Sequence, residues 1–496
     1  MLIYLVMALA VINGTMLFAF SANLLVLLFL AFKNDRRCRL DPKRLSAPPM
    51  VTIQLPIFNE KYVARRIIDG AAAMDYPKGQ LQIQVLDDST DETLEESRRA
   101  VEHYRELGYD IELIHRDKRI GHKGGALREG LTRARGEFVA IFDADFLPSR
   151  SILRKITPYF LEDRRLGMVQ TRWGHVNPET SALTRAQAVL IDCHFSIDQV
   201  ARSGSGLFMN FNGTAGIWRR ECIEDAGNWQ DDTLTEDMDL SYRAKLRGWR
   251  MLYIQDIVNK AELPTQISAY KSQQFRWAKG SMQTAMKLLR PVLRSEFPVF
   301  RKIQAVLHLA YYLVHPLLLL NMTLAVPFLA LRSSLALYDT FFGAVLTLFG
   351  IGIAISIVFF IASQAKTNRD WLKRLAWIPA AMTVGAGMAV NNTVAILEAL
   401  RRKPSEFIRT PKWGITAERG SRGFGEYAKA LRGGWIAALE LLFGLYAGFG
   451  ILVAARQELY PAIPFFCLYA FSFVYVFILG RLENHRAWKL RWEEEA

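Results

Sequence analysis

Glu137-Phe-Val-Ala-Ile-Phe-Asp-Ala-Asp145 is an apolar run that ends abruptly on two carboxylates one residue apart. Residues 138–142 lack the polar alternation of a half-buried strand, so the run reads as a strand covered on both faces. Three β-rich runs precede it, at 51–55, 82–86 and 111–114. Apolar residues recur at helical spacing over 62–74, after the first run, and over 123–134, before the fourth. Strands alternating with helices predict a mostly parallel sheet, whose ligands gather beyond the carboxyl ends of the strands. Polar residues stand at each of those ends: Asn59 and Glu60, Asp87 and Asp88, Arg116 to Lys123, then Asp143 and Asp145. A lone acidic pair is usually a solvated loop. Such clusters repeated on one edge predict a binding site.

The chemistry of that edge suits a nucleotide diphosphate. Asp143 and Asp145 fall on one side of an extended stretch. They offer the oxygen ligands that Mg²⁺ or Mn²⁺ take while keeping water and phosphate in the shell. Arg116, Arg119 and Lys123 can offset phosphate charge, and Gly121, Gly124 and Gly125 let backbone approach it. The stretch 121–126 fits neither G-x-x-x-x-G-K-[ST] nor G-x-G-x-x-G, which argues against an NTPase and a nicotinamide enzyme. Further on, Thr235-Glu236-Asp237 precedes a helix expected over 240–247, with Thr233 or Thr235 as its cap. A carboxylate there is held as the anion by the helix dipole, and as a functional group it could deprotonate a sugar hydroxyl. Gln273, Arg276 and Trp277 share one face of a helix. Arg suits a phosphate, and Trp offers a flat surface to a sugar ring.

The apolar residues are unevenly spread. Residues 1–32 hold no Asp, Glu, Lys or Arg, and Lys33, Arg36, Arg37, Lys43 and Arg44 follow. This predicts a retained anchor rather than a cleaved leader. Charge-free runs return at 303–331, 340–365, 375–397 and 459–480, and 433–455 carries only Glu440. Each is long enough to span a bilayer, which takes about 20 apolar residues. Basic loops at 33–44, 366–374 and 399–432 belong on the cytoplasmic side. Two such loops flank 375–397, so this run is expected to lie along or dip into the membrane; Pro379, Gly385, Gly387, Asn391 and Asn392 suit that better than a clean span. The expected order is a transmembrane helix at 1–32 and a cytoplasmic domain at 33–290, with an interfacial helix near 268–290. Two spans follow in 303–365, then an interfacial or re-entrant helix and a cytoplasmic loop in 366–432. Two more spans lie in 433–482, ahead of a cytoplasmic tail at 483–496.

Composition narrows the class. Of 496 residues, 51% are hydrophobic, which excludes a disordered or fibrous chain. Cys38, Cys193, Cys222 and Cys467 are too scattered for a disulfide framework or a zinc ribbon. Lys and Arg number 62 against 48 Asp and Glu, for a net charge of +14. Loops facing anionic lipid and a site facing a diphosphate account for that excess, and no nucleic acid is needed.

These stretches together resemble the membrane-embedded, processive family 2 glycosyltransferases of the cellulose synthase superfamily. The matches run through 55–60 (LPIFNE), 85–90 (VLDDST), 121–126 (GHKGGA), 142–145 (FDAD), 211–215 (FNGTA), 235–237 (TED) and 273–277 (QQFRW). Residues 407–412 (FIRTPK) are similar to the family's cytoplasmic gating loop, and the wording FNGTAG, TEDMDL and RTPK is similar to mannan and glucomannan synthases and their bacterial relatives. The resemblance implies an α/β GT-A fold with a mostly parallel sheet, beside an α-helical transmembrane region. It also implies an inverting, processive transfer of a hexose from UDP-glucose or GDP-mannose to a β-linked polysaccharide.

By the same resemblance Asp237 is the base, and Asn59, Glu60, Asp87, Asp88, Lys123, Asp143, Gln273 and Arg276 bind the donor. Phe211, Gly213, Thr214, Glu236 and Trp277 bind the acceptor. Phe407, Thr410 and Lys412 gate the site, and Asp143 and Asp145 hold Mg²⁺ or Mn²⁺. Gly125 stands where relatives often have Ala, with little expected consequence. The implied setting is a bacterial inner membrane or a Golgi-type endomembrane, with the catalytic domain cytoplasmic and lipid around the spans. Oligomeric state is left open. One alternative is a non-processive enzyme that glycosylates a lipid such as ceramide or diacylglycerol. A remoter one is a transporter with a nucleotide-regulated domain.

Overall fold

The computed structural model describes residues 2–39, 47–330, 338–404, 412, 414 and 434–495. One sheet has the strand order β3-β2-β1-β4-β7-β6-β8-β5. Its strands are β1 Val51–Ile57, β2 Leu81–Asp87, β3 Asp110–His115, β4 Phe138–Ile141, β5 Phe146–Leu147, β6 Leu166–His175, β7 Gly216–Arg219 and β8 Arg250–Ala261. The β3-β2-β1-β4 half is parallel, as expected. In the other half β7 runs antiparallel to β4 and β6, while β6 and β8 are parallel. Ile57 pairs with Asp87, and Asp87 with His115, so the parallel strands end level and their loops open on one edge.

Both faces of the parallel half are covered. Val51, Ile53, Leu55, Ile83, Val85 and Phe138 enter one core cluster, while Val139, Ile141 and Leu86 enter another. Polar side chains within the sheet satisfy each other: Thr52 donates to Gln82 at 2.8 Å and Gln54 to Gln84 at 3.0 Å. The expected helices appear as Ala64–Ala72 and His122–Arg133. The helix expected over 240–247 starts earlier, at Glu236, and runs to Leu246. Neither threonine hydroxyl caps it. Thr235 occupies the cap position, but its hydroxyl pairs with Thr284 at 3.1 Å, and the Thr233 hydroxyl has no partner among the described residues.

Among the described residues six helices are long and apolar enough to cross a membrane: Leu5–Lys33, Tyr311–Ala330, Gly343–Thr367, Trp371–Leu400, Gly434–Arg456 and Tyr460–Arg486. They fit a membrane protein. The run expected at 303–331 is divided, because a helix Val299–Leu309 precedes the break at Tyr311–Leu313. His308 on that first helix bonds Tyr242 of the sheet domain at 2.7 Å. The last helix, Ile463–Glu495, continues through most of the expected tail.

The spans meet the sheet domain at one end. Asn34 donates to Ser205 at 2.9 Å, Asn368 to Asp192 at 3.1 Å, and the Ile267 amide to Glu483 at 2.6 Å. Trp371–Leu400 differs from the others. Its apolar window is 61% buried inside the protein, against 17–39% for the rest. It is broken into Trp371–Arg374, Leu375–Trp377, Ile378–Gly387 and Ala389–Leu400. Both of its ends touch the helices of the sheet domain: Arg185 lies 4.5 Å from the Trp377 ring centroid, and Lys279 pairs with Glu398 at 3.0 Å. Its middle packs so tightly on the last span that a Cβ at Gly387 would stand 2.5 Å from Val476.

Candidate active site

A cavity of about 200 Å³ opens at the strand ends. Glu60, Asp88, Lys123, Asp143, Asp145, Gly213, Glu236, Asp237, Gln273, Arg276, Trp277 and Lys412 reach its wall, which unites expectations from all along the chain. Other expected residues stand behind that wall. The Asn59 amide donates to Ser89 at 2.7 Å and its side chain accepts from Thr90 at 2.8 Å, with φ at 51°, so Asn59 shapes the first turn. Asp87 is fully buried and accepts from the Ser89 amide at 2.8 Å. Burial raises its pKa. Asp88 instead faces the cavity, gripped by Arg116 at 2.8 and 2.5 Å. Phe211 is buried against Trp218. Thr214 is buried too, and its hydroxyl accepts from the Asp143 amide at 2.8 Å, which orients the acidic pair. Phe407 and Thr410 lie outside the described residues.

The acidic pair collects cations. Lys123 bonds Asp143 at 2.5 Å and the Gly213 carbonyl at 2.8 Å, and Lys412 bonds Asp145. Among the described residues no group of three His, Cys, Asp or Glu could hold a metal alone. Two carboxylates that already attract ammonium groups fit a divalent cation whose shell is completed by water and a diphosphate, rather than a resident structural ion.

Asp237 sits at the N-terminal turn of Glu236–Leu246. Its Oδ1 accepts from the Met238 amide at 2.7 Å. Its Oδ2 turns to the cavity, where a Cβ on Gly213 would come within 3.2 Å of it and 3.3 Å of Lys123. Burial, and then the adjacent Glu236 carboxylate, push the Asp237 carboxyl up to about 7. A carboxylate poised near neutrality is suited to accept a proton. Burial draws Arg276 below the usual arginine range, while Glu236 and Asp143 oppose that fall.

The glycine expectation needs correction. A Cβ at Gly125 would stand 2.1 Å from the Ile120 carbonyl oxygen, a backbone atom that cannot swing aside. The Ile120 carbonyl also accepts from Arg116 at 2.9 Å. Gly125 therefore permits the turn that presents Arg116 to Asp88, and alanine there is not neutral.

A second cavity of about 360 Å³ continues from the same wall toward the apolar helices. Trp173, Asn212, Thr235, Asp237 and Trp277 border both cavities. The second also reaches His194, Tyr311, Tyr312, His315 and Met388. His194 begins a π-helical turn, His194–Asp198, and bonds Asn212 at 2.8 Å. The sequence reading missed Trp173, at the end of β6, since it followed the strands only to 142. The short β-rich stretch Met168-Val-Gln-Thr171 feeding Arg172-Trp173-Gly174-His175 was the available signal.

A sheet with this order, an acidic pair beyond β4 and cationic arms over it define a GT-A type nucleotide-sugar transferase fold. Residues 48–280 match the family described as Glycosyltransferase like family 2, and this stretch of the chain is a glycosyltransferase family 2 domain. Glucomannan 4-beta-mannosyltransferase 2 of Arabidopsis thaliana is 40% identical over 274 residues, 53% of this chain and 51% of that protein. Glucomannan 4-beta-mannosyltransferase 1 of Oryza sativa subsp. japonica is 39% identical over 284 residues, 55% and 54% of the two chains. The chain thus spans about half the length of these relatives. Among solved structures, mannosyltransferase PcManGT from Pyrobaculum calidifontis in complex with GDP-Man and Mn²⁺ superposes with a TM-score of 0.55 at 21% identity. That match covers 80% of this chain and all of the other, and supports the fold.

Proposed function

We propose that the protein is an inverting, processive β-mannosyltransferase that extends a β-linked polysaccharide from GDP-mannose. The observation that carries this reading is the position of Asp237 on the wall between two unlike cavities. On one side stand the acidic pair, Lys123 and Arg276, suited to a diphosphate and its cation. On the other stand aromatic rings and uncharged polar groups, with Asp198 and Arg202 paired to each other, a lining suited to a glycan. Asp237 takes the proton from an acceptor hydroxyl approaching over Trp277, as that oxygen attacks the sugar carbon bonded to the diphosphate. Lys123, Gln273 and Arg276 steady the departing diphosphate. A cation on Asp143 and Asp145, Mg²⁺ or Mn²⁺, neutralises charge on that leaving group when bound. A single displacement inverts the anomeric centre, so an α-linked donor gives a β-linked product.

Mannose from GDP is favoured over glucose from UDP by the names of the two plant relatives and by the GDP-Man complex of the solved neighbour. The glycan acceptor is favoured over a lipid by four buried polar atoms without partners among the described residues: Trp173 Nε1, Asn210 Oδ1, Asn212 Nδ2 and His315 Nδ1 all belong to residues on the second cavity. Each would stay unsatisfied against an acyl chain, at about 1–3 kcal/mol apiece, whereas sugar hydroxyls can pair with them.

The domain face of the apolar helices is cytoplasmic in this reading, since it bears the basic stretches after 32 and 366. The segment Trp371–Leu400 enters from that face and returns to it, a placement its two anchored ends support. Lys412, on Asp145, is the part of the expected gating stretch that reaches the donor site. Incubating purified protein with each nucleotide sugar tests the assignment. GDP release from GDP-mannose with a β-anomeric product is expected; turnover of UDP-glucose alone, or an α-anomer, would contradict it.

A further inference from the structure

A chain of hydrogen bonds inside the apolar helices ends on an unused donor. Asn391 Nδ2 donates to the Lys271 carbonyl at 3.0 Å and to Asn392 Oδ1 at 3.1 Å. That contact orients the second amide, whose Nδ2 meets His315 Nε2 at 2.9 Å. An amide nitrogen only donates, so Nε2 must accept, and the neutral ring carries its hydrogen on Nδ1. A hydrogen on Nε2 would set two donors against each other. The remaining N–H, at Nδ1, is buried and without a partner among the described residues. Tyr312 stacks on the same ring with centroids 5.9 Å apart, and both side chains border the second cavity.

We propose that His315 is a fixed, uncharged hydrogen-bond donor that binds a hydroxyl or ring oxygen of the growing glycan, its tautomer set by Asn391 and Asn392. This rests on the polymer reading above and adds a specificity-determining residue to it. The placement supports a site for a later sugar of the chain rather than the one being extended. Trp173 and Asn212 border both cavities, beside Asp237, whereas His315 borders only the second and comes from a membrane helix. A neutral donor selects an acceptor oxygen without holding the polymer by charge, so the glycan can advance when one hydroxyl replaces another. The same relay begins at Lys271, on the helix Ile267–Arg294 that carries Gln273, Arg276 and Trp277. Occupancy at His315 is thereby registered against the helix that meets donor and acceptor.

The test uses the full chain in detergent, with Asp237→Asn as the binding-only parent and β-1,4-mannohexaose and mannobiose as probes. His315→Phe keeps a ring for Tyr312 and removes the donor. It should weaken mannohexaose about tenfold, the effect of one lost hydrogen bond to a buried donor, and leave mannobiose and GDP binding unchanged. Asn392→Asp gives Nε2–H an acceptor, turns Nδ1 into an acceptor, and should cause the same selective loss with His315 present. His315→Gln, which retains an N–H, should stay within a few-fold of the parent. With the base intact, His315→Phe should raise KM for a mannohexaose primer while sparing kcat. Unchanged mannohexaose affinity in both His315→Phe and Asn392→Asp overturns the inference alone. A parent that binds no mannohexaose overturns it together with the polymer reading. GDP affinity in each variant confirms folding. Should His315→Phe lose it, Asn392→Asp alone decides.

Discussion

The two cavities that meet at Asp237 solve opposite problems with different residues. The one at the strand ends is built of charge: Asp88 on Arg116, Asp143 on Lys123 and Asp145 on Lys412. Each of these three carboxylates has a counter-ion before any ligand arrives, so a charged donor and its cation exchange partners with them rather than neutralise bare groups. The cavity on the membrane side is walled mainly by rings and neutral polar groups, four with an atom left without a partner among the described residues, and its charged Asp198 and Arg202 pair with each other at 2.7 Å. A glycan of many identical hydroxyls can slide past neutral single donors, while fixed charges would bind a nucleotide and hold it. On the proposed function, this division keeps tight capture apart from repeated advance, with one carboxylate facing both.

Asp237→Asn breaks the link between the cavities and carries the largest expected effect. Transfer should fall by about 10²–10⁴-fold, the worth of a positioned base, while GDP titration stays near that of the parent; substantial turnover would remove the base assignment. Next, Asp145→Asn should weaken Mn²⁺ binding, read by electron paramagnetic resonance in the presence of GDP, and lower activity with it. Unaltered Mn²⁺ affinity would place the cation elsewhere.

A third change tests the mounting of the shared helix. Lys271 pairs with fully buried Glu440 of the span Gly434–Arg456 at 2.6 Å. Glu440→Leu leaves that lysine without its carboxylate, at about 3–5 kcal/mol, and should lower the thermal midpoint measurably. Lys271→Met with Glu440→Leu should recover most of it.

The smallest effect separates the two acidic neighbours at the junction. Asp237 must be ionised to act, and burial followed by the Glu236 charge raises its pKa to about 7. Activity should therefore decline as pH drops through about 7. Glu236→Gln removes the second cause, lowers that pKa and should shift the acid limb of kcat/KM to lower pH. An unmoved limb would assign it to another group.

Much of the donor side was legible locally, for a physical reason. Strands buried on both faces advertise themselves as β-rich runs, unbroken and apolar at 138–142, and Asp88, Asp143 and Asp145 follow such runs closely, while Lys123 opens the helix after the third. The division of labour between Asp87 and Asp88 was not legible, because the backbone turn alone decides which carboxylate is consumed by Ser89 and which reaches Arg116. Gly125 was misjudged for a similar reason: its constraint is the Ile120 carbonyl, visible only once the turn is folded. The β6–β8 pairing joins segments far apart and shifts register between Leu166 and Met168 and again between Thr171 and Arg172. No local pattern foretells it, so Trp173 stayed hidden. Asn391 and Asn392 drew notice as odd residues in an apolar run, but their use needed His315 brought beside them from another helix.

The size of the product that the purified full chain makes from radiolabelled GDP-mannose decides between polymer and lipid. A ladder of many mannose units that a β-mannanase degrades is the predicted result. A single mannose on an organic-extractable lipid would contradict it, leaving the second cavity without its proposed occupant.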